Sequence, residues 1–451
     1  MGTAHSLAPN RLFQELDNFE HIAVAVSGGS DSLALLHLLH HWALSHGKRL
    51  TAITVDHQLR EASRDEAAYV GRLCKGMGVE HHVLQWFGDK PDTGLPSAAR
   101  TARYALMAAH CSRSHIQVLA LGHTRDDQAE TLLMRLTRTD EQNRGLSGMA
   151  TITLVTPNPA CHVIACRPLL DIGRTELRAY LSRHNVEWVD DPSNEDQQYE
   201  RVRVRAHLAD EPDLAQKLID YAAIHARYRS QMALDAARFI ELHCYVSSFD
   251  CVYLQRSKLD EQPLPLAVFI LQVLLSVVGG RDYLPPAMKV LDVLQRLDSS
   301  TLARVQITTH QSQLILNREV RNLPPVLRLE NGPMLWDQRF WLTPNDDLSH
   351  DIEVSSGFDL KGDIADYIDA DDNYLFSKIT KFDKRALVSM PFGCIYDGND
   401  KISDFIIKSE VMRKELSLSR ALGAFDRYCT QFDFPIKRAL ERLFTVKMLK
   451  G

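Results

Sequence analysis

The six residues Ser27-Gly28-Gly29-Ser30-Asp31-Ser32 combine donors and backbone freedom in the way an oligophosphate requires. Two glycines let the chain turn tightly and approach an anion without a Cβ clash. Serine hydroxyls and the free N–H groups of a starting helix donate to phosphate oxygens, helped by the helix dipole. Asp31 would repel a bare phosphate, so it fits if it holds Mg²⁺ that bridges to the phosphates. No Gly-Lys-Ser/Thr follows, which excludes a Walker A loop. The Gly-x-Gly-x-x-Gly spacing of a dinucleotide fold is also absent. A Ser/Asp helix cap after a glycine turn would account for two or three of the six without any ligand. All six together point to a phosphate.

Asp126, Asp127 and Glu130 place three carboxylates within five residues. Such a cluster suits Mg²⁺, which takes hard oxygen ligands, or it serves the dipole of a helix's first turn. Arg100 and Arg103, at i and i+3, share one helix face. Guanidinium forks bind phosphate and offset charge that develops in phosphoryl transfer, or they form a surface salt-bridge face. Tyr104 beside them is a candidate platform for a base. Arg201, Arg203 and Arg205 alternate, so a strand would put all three on one side. That face is either a clamp for phosphate or a nucleic-acid backbone, or simply solvated. The adjacent pairs His40-His41 and His81-His82 cannot both face one metal and read as structural or surface residues. Cys161 and Cys166 have no matching second pair, which argues against a zinc or iron–sulfur site.

These groups need a frame. Ile22 to Val26 is a short apolar run of the kind a buried parallel strand shows. Leu33, Leu35, Leu36, Leu38, Leu39 and Trp42 follow at helical spacings, with Gly47 as the stop. Leu50–Val55 and Val118–Gly122 are further strands, and 64–78 and 124–138 further helices. Strands alternating with helices predict an α/β fold with a parallel sheet covered on both faces. We expect this catalytic domain over 1–212. A mostly helical domain is expected over 213–325, centred on the apolar run Leu264–Val278 and with strand-like alternation at 303–328. A small α+β domain is expected over 326–451.

Composition limits the partners. The chain has 451 residues and a formal net charge of −6, so any nucleic acid must be held by local patches. From Asp346 to Asp372 ten acids face Lys361 alone, whereas Asn373 to the end carries fifteen Lys/Arg against nine Asp/Glu. That basic tail either binds phosphates or balances the acidic run. No run reaches the roughly 18 apolar residues of a membrane span, and eight scattered cysteines suit a reducing compartment, hence cytoplasm.

Further segments narrow the reading. They are Val55–Arg60, Ala99–Tyr104, Gly122–Thr131, Arg144–Met149, Arg167–Leu170, Asp191–Asn194 and Arg201–Arg205. With the serine-glycine loop, and in this order, they resemble the tRNA(Ile)-lysidine synthetases, members of the N-type ATP pyrophosphatases in the PP-loop superfamily. The resemblance covers about residues 20–206. Beyond that it rests on the domain layout and on Asn317-Arg318-Glu319.

The resemblance implies an adenine-nucleotide α-hydrolase-like fold that binds ATP with Mg²⁺ over Ser27, Gly28, Gly29, Ser30, Asp31 and Ser32. It implies a ligase acting on tRNA(Ile) with a CAU anticodon. O2 of the wobble cytidine would attack the α-phosphate, and the ε-amine of L-lysine would then displace AMP at C2. The product, lysidine, would switch the tRNA from methionine to isoleucine identity and to AUA decoding. Asp31, Asp127, Glu130, Arg100 and Arg103 are the expected catalytic residues. Asp126, Asp127, Arg201 and Arg205 are expected to bind substrate, and Asp31 and Glu130 the metal. A homodimer or a monomer, with no membrane attachment, is expected. Two other classes remain open: another PP-loop adenylating enzyme such as a tRNA thiolase, and a tRNA-binding protein whose loop no longer catalyses. The sequence departs from the family pattern at Thr137–Asn143, at Val202, and at Val305–His310, where glycines are lacking.

Overall fold

The computed structural model describes residues 7–59, 62–88, 90–138, 143–190, 196–247, 249–296, 299–345, 351–357, 380–397, 400–406 and 416–445. Arg60, Asp191–Asn194, part of Thr137–Asn143 and most of the acid-rich stretch lie outside them. The chain divides into two compact units, one of Met1–Arg229 with Thr430–Phe432, the other of Ser230–Cys429 with Asp433–Gly451.

In the first unit the expected alternation appears as strand β1 (His21–Ala25), helix α1 (Ser30–Ser45), β2 (Arg49–Asp56), α2 (Ala62–Met77) and β3 (Glu80–Gln85). Next come α3 (Leu95–Arg113), β4 (Val118–Ala120), α4 (Arg125–Thr137), β5 (Ile152–Asn158), β6 (Cys161–Cys166), α5 (Arg174–Arg183) and α6 (Glu200–Asp210). These strands lie in the order β5-β6-β4-β1-β2-β3, and Thr430 ends a short late strand at the β5 edge. All pairings from β6 to β3 are parallel; β5 runs antiparallel to β6. Alternate residues feed two cores. Ile22, Val24, Val118 and Ala120 pack with Leu35, Leu39 and Leu177. Ala23, Ile53 and Leu119 pack with Met107 and Cys111 of α3. A strand buried on both faces is therefore apolar throughout, as the sequence reads.

Strand order reverses at β1: β2 and β3 continue to one side, β4 and β6 to the other. A crevice opens where such a reversal occurs, beyond the carboxyl ends of the strands. The Ser27–Ser32 turn follows β1, and the Gly122–Asp127 segment follows β4, in register across Val24 and Ala120.

Behind this end, α1 packs on α5 through edge-on and tilted ring contacts. His37 lies 4.6 Å from His41 and 5.0 Å from His184 between ring centroids, and its Nδ1 is 2.8 Å from the Tyr180 hydroxyl. Burial, then the neighbouring His41, His184 and His40, lowers the His37 pKa to about 4. A depressed folded-state pKa favours the unfolded, protonated state in acid. This contribution is therefore complete above about pH 6.5 and lost as pH falls towards 4. We expect thermal melts to show a smaller loss of Tm between these pH values in His37→Gln than in the parent. Equal slopes would remove His37 as a cause.

The second unit begins within helix α7 (Pro212–His243), the helix expected over 213–243. It contains the apolar helix α8 (Leu264–Val278) and α9 (Ala287–Gln295). Beside them lies a five-stranded antiparallel sheet of Cys244–Val246, Val252–Gln255, Gln313–Arg318, Val305–His310 and Ser300–Leu302. The strand alternation at 303–328 is thus one part of a wider sheet. Val305–His310 forms its strand without glycine, closed by Gln311 at φ 53°. Four-stranded and three-stranded sheets follow.

Asn317-Arg318-Glu319 has a structural role. Arg318 donates to Asp337 at 3.0 and 3.1 Å, Arg339 donates to the same carboxylate at 2.7 Å, and Arg304 also pairs with it. Arg339 and Arg420 in turn hold Asp250, at 3.3 and 3.0 Å. Elsewhere in the basic tail, Lys437 pairs with Asp426 and Arg442 with Glu241. Part of that charge balances internal acids.

Candidate functional site

A cavity of about 790 Å³ opens in the first unit at the reversal point. Ser27, Gly29, Ser30, Asp31 and Ser32 line it, and Gly28 stands just behind. Gly28 takes φ +87°, a conformation that side chains resist, and its carbonyl accepts from Val189 N–H at 3.0 Å. Ser32 Oγ accepts from Ser27 N–H at 3.1 Å and donates to the Gly29 carbonyl at 3.0 Å, which closes the turn. No side chain caps the start of α1, so its first N–H groups face an incoming anion. The β4 end approaches so closely that a Cβ on Gly122 would lie 3.1 Å from the Asp31 carbonyl oxygen.

The three carboxylates of α4 separate by role. Asp126 Oδ2 accepts Arg174 N–H at 2.7 Å, so this residue, expected at the substrate, holds the start of α5. Asp127 faces the cavity. Its Oδ2 accepts from Thr124 N–H at 2.8 Å in a capping box, and its Oδ1 accepts from Arg201 at 2.7 Å and Arg174 at 3.3 Å. Glu130 is 1% exposed and enclosed by Arg201 at 2.7 Å, Arg205 at 2.8 Å and Arg174 at 3.3 Å. Expected as a metal ligand, it accepts from three guanidiniums, which reach both its oxygens.

The arginine triplet needs a correction. Residues 200–210 form helix α6, so the one-sided arrangement that a strand would have given the three arginines does not arise. Val204 and Leu208, at i and i+4, pack with Leu132 of α4, and that burial selects the helix. Arg201 and Arg205 share the i, i+4 face towards Glu130, while Arg203 turns away to the Gln197 and Gln198 carbonyls at 2.7 and 2.9 Å.

Arg174 was missed by the sequence reading. Its Nε donates to Asp31 Oδ2 at 3.0 Å, and its other nitrogens reach Asp127 and Glu130. Burial disfavours its charge, but Asp31, Asp127 and Glu130 more than offset this and raise its pKa. Asp31 is raised: burial outweighs Arg174, and the Asp127 charge adds to it. Arg178, one turn on, donates to Ser30 Oγ at 3.4 Å and to Asp190 at 2.7 Å. The signal available was the pair Arg174, Arg178 at i, i+4 in the first turns of a helix after Gly173.

The opposite wall is basic. Arg103 lines the cavity, and Arg100 is exposed beside it. Their guanidinium carbons lie 5.4 and 5.0 Å from the Tyr104 ring centroid. Tyr104 itself is 1% exposed in the α3 core, so it supports these arginines and offers no stacking face to a base. Arg167 is buried, donating to the Ala150 carbonyl at 2.8 Å and Thr153 Oγ1 at 2.9 Å. His123 reaches the cavity with Nδ1 unpartnered among the described residues. Burial, then Arg167, Arg103 and Arg100, pushes its imidazole well below 6.5, so it is neutral at pH 7.

For Mg²⁺, Asp31 and Asp127 fit. They are two mutually repelling carboxylates on the cavity wall with one guanidinium between them, and a small hard cation can replace part of that guanidinium's charge. Among the described residues no three His, Cys, Asp or Glu side chains form a closed metal cage, and no disulfide joins any of the eight cysteines. No described helix is long and apolar enough to cross a membrane.

A family model described as a PP-loop domain matches residues 4–212. The tRNA(Ile)-lysidine synthase of Mesorhizobium japonicum is 40% identical over 74% of this chain and 75% of its own length. That of Brucella anthropi is 32% identical over 93% of both chains. Among solved structures, the U34-tRNA thiolase NcsA from Methanococcus maripaludis is 19% identical, with a TM-score of 0.41 over 49% of this chain and 77% of that one. That likeness is too distant to weigh.

Proposed function

The chain belongs to the tRNA(Ile)-lysidine synthase family, and on that premise we propose that it joins L-lysine to C2 of the wobble cytidine of tRNA(Ile) with a CAU anticodon, using ATP. One observation carries the reading. The uncapped serine-glycine turn, Asp31, Asp127 and Arg103 face one cavity.

The turn and the first N–H groups of α1 hold the triphosphate. Asp31 and Asp127 would hold Mg²⁺, which when bound offsets phosphate charge; Glu130 stands behind them and fixes Arg174, Arg201 and Arg205. Cytidine O2 attacks the α-phosphorus and pyrophosphate leaves. The lysine ε-amine then attacks C2 and AMP leaves, a far better leaving group than the original oxygen. Arg174 and Arg103, on opposite walls, stabilise the charge that develops, a matter of positioning and electrostatics. The ε-ammonium must shed a proton first, and Asp127 is the α4 carboxylate placed on the cavity wall to hold it.

Incubation with labelled lysine, ATP and CAU-anticodon tRNA(Ile) is expected to leave acid-stable label on the RNA, with one AMP and one pyrophosphate released per lysine. ATP turnover without tRNA, or a requirement for a sulfur donor, would select a different adenylating enzyme.

A further inference from the structure

We infer that Arg178 grips the outer, pyrophosphate half of bound ATP, and that Asp190 restrains this grip so that the product can depart. The inference rests on the ATP-using reading above and adds the residue pair that handles its leaving group. Arg174 and Arg103 serve the α-phosphorus, and the departing half needs a cation of its own.

Arg178 and Asp190 both line the cavity. Arg178 follows Arg174 by one turn of α5, so the two share a helix face and lie about 6 Å apart along its axis. Arg174 reaches Asp31 and Asp127, the carboxylates at the reacting end. Arg178 reaches the other shoulder of the turn, where its Nε donates to Ser30 Oγ at 3.4 Å. A chain of phosphates that starts at Arg174 and follows the turn therefore ends at Arg178. The fork is held in place for this. Its Nη2 donates to Asp190 Oδ1 at 2.7 Å, and the Trp188 indole donates to Asp190 Oδ2 at 3.2 Å. Its guanidinium carbon lies 5.6 Å from the Trp188 ring centroid. Trp188 packs on the core shared with α1, Val189 N–H donates to the Gly28 carbonyl at 3.0 Å, and the Tyr69 hydroxyl donates to the Glu187 carbonyl at 2.7 Å. The segment that carries Asp190 is thus tied to the phosphate turn itself.

The Arg178 and Asp190 side chains are 43% and 63% exposed. An ion pair so exposed is weak, and a phosphate end with more than one charge outcompetes a single carboxylate for the fork. When the bond from the α-phosphorus to the bridging oxygen breaks, its electron pair stays with pyrophosphate. Negative charge then rises on the outer half, and Arg178 holds it more strongly than it held ATP. Asp190 sets the limit. Its charge beside the fork opposes the anion, and it takes Nη2 back as pyrophosphate leaves.

The test is equilibrium dialysis of the intact chain, in Mg²⁺, against labelled pyrophosphate, ATP and AMP. Arg178→Gln is expected to weaken pyrophosphate and ATP by roughly tenfold to a hundredfold each and to leave AMP unchanged. Retained AMP affinity also shows that the turn is folded. Arg178→Lys should recover part of the loss, because the charge returns without the fork. Arg183→Gln, which removes an exposed arginine of the same helix bonded to the Ala179 carbonyl, should change none of the three. Asp190→Asn should tighten pyrophosphate by roughly threefold to tenfold and lower the pyrophosphate concentration that inhibits lysine transfer. Unchanged pyrophosphate affinity in Arg178→Gln, or an equal loss for AMP, overturns the assignment of Arg178. No gain in Asp190→Asn overturns the restraint. Lysine transfer without the split between ATP and AMP would sink the inference and leave the ligase reading intact; the split without any lysine transfer would do the reverse.

Discussion

Arg174→Ala is expected to cut lysine incorporation by roughly a thousandfold, about 4 kcal/mol of transition-state stabilisation. Arg174 alone touches Asp31, Asp127 and Glu130, and Asp31 has no other guanidinium partner among the described residues. Without it, Asp31 faces Asp127 and the incoming phosphates with no guanidinium of its own, while Asp127 keeps Arg201. Glu130 keeps Arg201 and Arg205, so the fold around α4 and α6 should persist. The loss should therefore lie in single-turnover adenylation more than in the melting temperature. Arg174→Lys should recover only part of it, because one ammonium cannot reach three carboxylates in the geometry of a planar fork. Raised Mg²⁺ should partly rescue the alanine variant. Turnover within tenfold of the parent would remove Arg174 from the chemistry.

The largest effect on stability is expected at Asp337. Its side chain is fully buried, and Arg304, Arg318 and Arg339 all converge on it. Burial works against the carboxylate, yet Arg339, Arg318 and Arg304 hold its pKa below the ordinary range. Removing one partner of a buried ionic group leaves charge stranded in a low dielectric, at about 3–5 kcal/mol. Asp337→Asn is the sharper variant, since residue 337 sits at φ 49°, which asparagine tolerates and alanine does not. Chemical denaturation should show the loss. In the double variant with Arg318→Gln, the two effects should fall short of their sum, because the second change removes one of the stranded charges. Losses below about 1 kcal/mol would mean that water or relaxation already screens the network.

Much of the first unit was legible in the residues. Runs such as Ile22–Val26 and Leu50–Val55 are apolar throughout because both faces of their strands are covered, and that signal is local. The loop after β1 was legible for the same reason: two glycines, three hydroxyls and one acid within six positions leave few alternatives. The alternation at Arg201–Arg205 misled, because a five-residue run of period two suits either a strand or a helix with Val204 and Leu208 inward. Packing on Leu132 decided it. Tyr104 misled because aromatic type does not reveal whether a ring faces the core or the cavity.

Residue types and short spacings established which chemistry this chain contains: a phosphate turn, a carboxylate group and an excess of arginine around them. Tertiary structure decided which of those charges are free to act. Asp126 accepts a backbone N–H, Glu130 pairs with Arg201 and Arg205, and among the described residues Arg100 and Arg103 pair with no acid. The reason is that periodicity arises between neighbours in sequence. A charge is cancelled or left bare by partners dozens of positions away, which only the folded chain brings within a few ångströms.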